Sequence, residues 1–367
     1  MNFDFTDDQR MLRDQARRFL EENARSRTIM EGDEPFDREL WKQICELGWT
    51  GAALPEEEGG VGLSYIDLCM IAEELGRALA PVPFSSSIYL ALEAVRLAGT
   101  EEQKKKHLPK LASGEMIGCL AGTEGAGALL PKNIRAEVSG GKLSGVKLPV
   151  ADGDIADLAV VVAKSGGETG LFLVDLNGPG VTRETIETLD PSRSHAKITF
   201  DSAPAEALGN IADGWDHLTR VQDHAAVLFA FEQVGGAQKC LEEAKDYAMN
   251  RFAFSRPIAS FQAIKHKLAD VYMKTELARS NAYFGAWALN TGAAELPVAA
   301  AAARVAGNTA FLFAAEENIQ THGGMGFTWE FDCHLYLRRA KLLALTLGGE
   351  KRWKERLVSR LEERNAA

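Results

Sequence analysis

Residues 251–262 read Arg251-Phe-Ala-Phe254-Ser-Arg-Pro-Ile258-Ala-Ser-Phe-Gln262. The stretch separates two long apolar-periodic segments, 217–249 and 262–290, and predicts a break between helices that carries a guanidinium, an aromatic ring and an amide. A loop of this make-up can hold a pyrophosphate and a flat ring; read plainly, it is a turn with a solvated Arg and a core Phe. Further on, Gln320-Thr-His-Gly323-Gly324-Met-Gly326-Phe closes another long segment, 297–320. Its glycines suit an ordinary helix end, and the same glycines let a ligand approach main-chain groups closely.

Outward from this pair, the chain is helical from about 213 onward, with a further segment at 333–346, and its Ala- and Leu-rich helices read as a bundle. Upstream, 117–205 changes to short β-type runs, among them Ile134/Ala136/Val138, 158–162, 170–174 and 197–200, which predict a small antiparallel sheet. The first third is helical again. Thr6 and Thr100 each precede a Gln at capping-box spacing. Leu12, Ala16, Phe19 and Leu20 form one helical stripe, and Leu40, Ile44 and Leu47 another before Gly48. The expected class is α+β in three domains: helical 1–116, central antiparallel β 117–212, and a C-terminal four-helix bundle 213–367.

Composition excludes several functions. Forty-one basic against 52 acidic residues leave a net charge of −11, unsuited to nucleic acid or an anionic membrane surface. Five scattered cysteines form no CxxC pair and suggest a reducing compartment. No apolar run approaches the roughly 18 residues of a membrane span, and the acidic opening Met1-Asn-Phe-Asp-Phe5 does not read as a leader, so a cytoplasmic location is expected. There is no GxSxG, P-loop or GxGxxG, and the histidines lack metal-ligand spacing, so neither a hydrolase nor a metal site is expected.

In this order and spacing, the two motifs resemble the C-terminal domain of flavin-dependent acyl-CoA dehydrogenases. The resemblance extends over the whole chain, through Ala-Leu-Pro-Glu-Glu-x-Gly-Gly at 53–60 and Thr123-Glu124 at the first β-type run. It implies FAD as cofactor, an acyl-CoA substrate and an electron-transfer flavoprotein as electron acceptor. It further implies that Arg251, Phe254, Gln262, Gln320, Gly323 and Gly324 grip the adenine and pyrophosphate of an FAD seated in a neighbouring subunit, and that Thr123 belongs to the flavin-ring side.

The ring side departs from the family pattern. Leu347 stands where the family's Glu base is expected, Ala225 fills the alternative base position, and Gly349 replaces a Thr. Lys147-Leu148-Pro149-Val150-Ala151 replaces Lys-x-Trp-Ile-Thr, and 123–129 lacks the family's Pro and Ser. A chain that keeps what it lends to a neighbour and loses what it uses itself looks like the non-catalytic half of an α2β2 acyl-CoA dehydrogenase, paired with a homologous Glu-bearing subunit. Such pairs act on bulky thioesters such as steroid side chains. The alternatives are a self-sufficient homotetramer with a relocated base, Asp223 or Glu350 being nearest by sequence, and a flavin-free CoA-binding or structural protein. Both carboxylates also read as solvated helix-start residues. Glu232, in an otherwise apolar helical stretch, needs a buried partner or a raised pKa.

Overall fold

The computed structural model describes residues 6–366, so the Met1–Phe5 opening lies outside the described residues. In chain order the helices are α1 (Asp7–Asn23), α2 (Ser26–Glu31), α3 (Arg38–Glu46), α4 (Tyr65–Arg77), α5 (Glu93–Ala98) and α6 (Glu101–Ala112). Strands β1 (Gly118–Ala121), β2 (Glu137–Ser139), β3 (Lys142–Ala151), β4 (Leu158–Ser165), β5 (Glu168–Asp175), β6 (Val181–Thr185), β7 (His195–Pro204) and β8 (Glu206–Ala207) follow. The chain ends with α7 (Gly214–Asn250), a hairpin of β9 (Phe252–Ala253) and β10 (Arg256–Pro257), α8 (Gln262–Thr291), α9 (Leu296–His322), α10 (Cys333–Leu345) and α11 (Glu350–Ala366). This is the expected helix, sheet, helix order. Beyond the four expected C-terminal helices, α11 packs on α9 and buries Trp353 completely.

Two compact units divide the chain, one of 29–64 and 81–225, the other of the described residues of 1–28, 65–80 and 226–367. In the first unit the sheet runs β6-β7-β3-β2-β4-β5-β8, with β1 also on β4. Most pairings are antiparallel as expected, but β1 and β2 both meet β4 in parallel. Val161, Phe172, Ile198 and Phe200 fill the sheet's core. Both capping boxes form, and Asp37 caps α3 through the Leu40 amide. Leu47 is the exception in its stripe: it is 51% exposed, because the helix ends one residue earlier and the left-handed Gly48 turns the chain.

The sequence pattern did not reveal one element of this unit. After Pro81-Val-Pro83, residues Ser85–Leu92 form a wholly buried π-helix, an uncommon geometry that widens the turn. Its serines are polar ties: Ser85 accepts from Arg193 at 2.6 Å, Ser86 donates to Asp152 at 2.5 Å, and Ser87 accepts from the Gly118 amide at 3.1 Å.

The second unit is built on a close helix crossing. A Cβ on Gly76 of α4 would lie 1.9 Å from the Glu232 carbonyl of α7, and one on Gly235 would lie 1.8 Å from the Glu73 carbonyl. Two helix backbones therefore touch with nothing between them. Around the crossing, carboxylates meet guanidinium groups: buried Glu73 with Arg279, buried Glu74 with Nε and Nη2 of Arg17 at 3.0 and 2.8 Å, half-buried Glu242 with Arg77 at 2.5 Å, and buried Glu232 with Arg339 at 3.6 Å. The stretch Leu296–Phe327 is, against expectation, long and apolar enough to cross a membrane by length and composition alone. Its alanines pack on α8 and α10, and it buries Arg304, Asn308 and Asn318, as a core helix does.

The crossing makes a direct prediction. Gly235→Ala forces α4 and α7 apart and lowers the unfolding free energy by about 3 kcal/mol or more in a denaturant titration. Gly349→Ala, where a Cβ meets nothing, changes it little.

Candidate functional site

The residues of the two motifs lie in the second unit, just after α7 and at the end of α9. The Arg251 amide donates to the Tyr247 carbonyl at 2.8 Å, closing α7, and the Ile258 amide donates to the Arg251 carbonyl at 2.8 Å, so the hairpin is bonded back to the helix end. Phe254 and Ser255 form its tip, and both take left-handed backbone angles, φ 53° and 61°. Asn-Gly is the usual solution for such a turn, and non-glycine residues there cost about 1–2 kcal/mol each. The strained tip holds Phe254 91% exposed, its ring edge-on to Phe261 at 6.2 Å, while the Arg256 guanidinium lies over Phe261 at 4.1 Å. Gln262, exposed, opens α8.

The second motif closes α9. Gln320 is exposed, Gly323 takes φ 61°, and a Cβ on Gly323 or Gly324 would meet nothing. Gly326 differs, because its Cβ would strike the Ile319 carbonyl at 2.6 Å. Gly323 and Gly324 thus present open main chain, while Gly326 is packed. The two helix ends are tied together: Tyr247 of α7 stacks on His322 of α9 at 4.2 Å, and both line a cleft of about 510 Å³ that also borders Asn250, the residue before Arg251. Burial lowers the His322 pKa, against the Asn318 carbonyl bonded to its ring. The pair places His322 of the second motif against α7, four residues before Arg251.

Thr123 lies in the first unit. Its hydroxyl donates to the Pro149 carbonyl at 3.1 Å, and the Leu148 amide donates to its carbonyl at 2.9 Å. Next to it is a feature the sequence did not disclose. Lys147 is fully buried and donates to Glu124 at 2.8 Å, to the Val162 carbonyl at 2.5 Å and to the Gly122 carbonyl at 3.2 Å. Burial acts to raise the Glu124 pKa, but Lys147 and the amides of Ala136 and Arg135 together hold it below the usual value.

The positions read as candidate bases divide clearly. Leu347 takes φ 63° in the turn after α10, its carbonyl accepting from Trp353 at 3.2 Å. The fully buried Arg304 donates to the carbonyls of Leu343 and Thr346, the latter at 2.7 Å, and so pins this turn from below. Burial brings the Arg304 pKa down to about 9, with Glu232 acting against the shift. Ala225 is buried. Asp223, expected at a helix start, is instead nine-tenths buried well inside α7, because that helix begins at Gly214. Glu350 does begin a helix and pairs with Lys354 at 2.6 Å. Glu232 has its partner in Arg339. A buried carboxylate overlooked in the sequence, Glu93, lies 2.5 Å from His224, beside Ala225. Burial would raise its pKa, but His224 and Arg96 outweigh that and hold it far below the usual range, which makes it a poor proton acceptor.

The geometry defines a three-part helix, sheet and helix protein whose C-terminal bundle carries an Arg and an exposed aromatic ring just after α7 and open main chain just after α9. The comparisons place it more narrowly. The family pattern "Acyl-CoA dehydrogenase, N-terminal domain" matches residues 6–115, and "Acyl-CoA dehydrogenase, C-terminal domain" matches 212–360. The chain is 34% identical to the acyl-CoA dehydrogenase IpdE2 of Mycobacterium tuberculosis over 93% of its own length and 92% of that protein's. Among solved structures, a Tcur3481–Tcur3483 steroid ACAD variant superposes with a TM-score of 0.89 at 31% identity, covering 98% of this chain and 99% of that one. The ChsE4–ChsE5 complex from M. tuberculosis gives a TM-score of 0.89 at 26% identity, covering 99% of each chain. This chain belongs to the acyl-CoA dehydrogenase family, whose cofactor is FAD.

Two measurements test the local energetics. Replacing the hairpin tip by Asn-Gly, as Phe254→Asn with Ser255→Gly, removes the left-handed strain and raises the unfolding free energy by about 1–2 kcal/mol. The folded-state pKa of Glu93 lies below its ordinary 4.5, so the stability it contributes is full above that value and drains as pH falls below it. Denaturant titrations across this range show a smaller acid loss for Glu93→Gln than for the parent chain.

Proposed function

We propose that this chain is the half of a heteromeric acyl-CoA dehydrogenase that completes an FAD site in its partner, a homologous subunit carrying the base. The observation that carries the reading is the asymmetry between the two sides of the site. On the adenosine side, Arg251 supplies a two-pronged donor for the pyrophosphate, and Gly323 and Gly324 offer main chain that no side chain of this unit covers. Phe254 provides an exposed plate for a flat ring, and Gln262 and Gln320 are exposed amides. These residues fit that half of FAD.

On the ring side, the fit fails. The Thr123 hydroxyl is already given to the Pro149 carbonyl, Leu148-Pro149-Val150 offers neither an aromatic wall nor a hydroxyl, and Leu347 cannot accept a proton. Bound FAD supplies the two-electron acceptor for α,β-dehydrogenation of a CoA thioester. The partner's carboxylate takes the α-proton, and this chain binds and orients the nucleotide end. An electron-transfer flavoprotein is the acceptor of the resulting electrons. Similarity to a steroid ACAD and to the ChsE4–ChsE5 complex favours a bulky, steroid-type acyl group and a two-chain assembly.

A self-sufficient enzyme has less support. Glu350 is paired at a helix start, Asp223 is buried within α7, and Glu232 is held by Arg339. Retention of the FAD-side residues speaks against a flavin-free role. The test is native mass spectrometry of the chain alone and co-expressed with a Glu-bearing homologue. The chain alone carries little FAD, the pair forms an FAD-bearing α2β2 complex, and Arg251→Ala in this chain cuts the FAD content of the complex severalfold. A homotetramer with one FAD per chain and turnover of its own overturns the reading.

A further inference from the structure

We infer that the cleft between the ends of α7 and α9 is a socket for a basic side chain, Arg or Lys, of the homologous partner subunit. The inference rests on the half-site reading and names how the partner is held. The cleft's lining contains four carboxylates, Glu243, Asp246, Glu330 and Asp332, and no Lys or Arg. Only Asp332 has a close cation, Arg27 at 2.7 Å; Lys239 stays 4.0 Å from Glu243, and Asp246 and Glu330 have no ion-pair partner among the described residues. Behind Glu243, the amide of the fully buried Asn318 donates to its carboxylate at 3.1 Å, while the Asn318 side-chain oxygen finds no donor among the described residues. The lining itself is therefore rich in carboxylate acceptors and holds no cation of its own, a set that a guanidinium with five N–H groups satisfies.

Three further observations point to a cation belonging to a protein. Tyr247, His322 and Phe331 cluster in the wall, with Tyr247 4.2 Å from His322 and 6.0 Å from Phe331, and aromatic faces favour a cation over an anion. The chain positions flanking the lining carry exposed apolar side chains, Met249 at 55%, Phe252 at 60%, Phe327 at 82% and Trp329 at 53%. Exposed apolar groups around a polar pocket suit a protein surface rather than a free ion. Finally, Asn250 and His322 of the lining are the chain neighbours of Arg251 and Gly323, the groups assigned to the partner's pyrophosphate. Uncompensated carboxylates beside a diphosphate repel it, and a partner cation seated between them removes the repulsion while fixing the register of the two chains.

The test is the affinity of this chain for its Glu-bearing homologue, measured on the purified full-length chains. Asp246→Lys with Glu330→Lys, both at exposed positions, weakens assembly about tenfold or more at physiological salt. Asp246→Asn with Glu330→Gln weakens it less and in the same direction, and the parent affinity falls as salt rises. The thermal midpoint of the isolated chain stays unchanged in both variants. Unaltered affinity in the Lys variant overturns the socket and leaves the half-site reading standing, since the parent pair still assembles. A parent chain that ignores Glu-bearing homologues and forms an FAD-loaded homotetramer overturns both.

Discussion

The contact between α4 and α7 governs the second unit. Gly76 faces the carbonyl of Glu232 and Gly235 faces the carbonyl of Glu73, so each glycine opposes the residue whose carboxylate must then be accommodated. With no room for side chains at the crossing, Glu73 and Glu232 turn aside and meet Arg279 of α8 and Arg339 of α10. Two helices are thus docked by charges that the crossing itself places. A buried carboxylate stripped of its partner is strongly destabilising, whereas the intact pair gives less net stability than it gives specificity of arrangement. The Tyr336 hydroxyl adds a further tie from α10 to the Arg77 carbonyl at 2.9 Å.

The same logic reaches the turn after α10. Arg304 sits on α9 without solvent contact, bonded to Gln233 at 2.9 Å and to the carbonyls that end α10. A guanidinium at a helix C-terminus is favourable both as a donor to free carbonyls and as a charge at the negative end of the helix. Here it anchors a turn that contains Leu347 rather than a carboxylate. The turn is a held structural feature.

Much of this was legible in the sequence. Periodicity gave the helices of both ends to within a few residues, because the stripes are long and the caps explicit, as at Thr6, Asp37 and Thr100. Alternation located the sheet, yet it could not reveal that β1 and β2 lie parallel to β4, since pairing direction leaves no mark on a four-residue strand. The π-helix at Ser85–Leu92 escaped because prolines and serines read as a loop unless their hydroxyls are known to be buried and bonded. The motif residues were visible as types at fixed spacing. The contact of α7 with the end of α9 was not, for it depends on Tyr247 packing on His322 across 75 residues. Lys147 and Glu93 were invisible as buried charges for the same reason: each relies on a partner distant in the chain, Glu124 for Lys147 and His224 for Glu93.

The strained turn at Phe254 and Ser255 also bears on timing. A loop that must be ordered when it meets a ligand charges that entropy against affinity and slows capture. In this chain the unfavourable backbone is imposed during folding, through the bonds from Arg251 back to α7 and on to Ile258. The backbone at the aromatic tip is therefore set by the fold itself. On the proposed reading of this hairpin as a plate for a flat ring, encounter then costs little ordering of the backbone there.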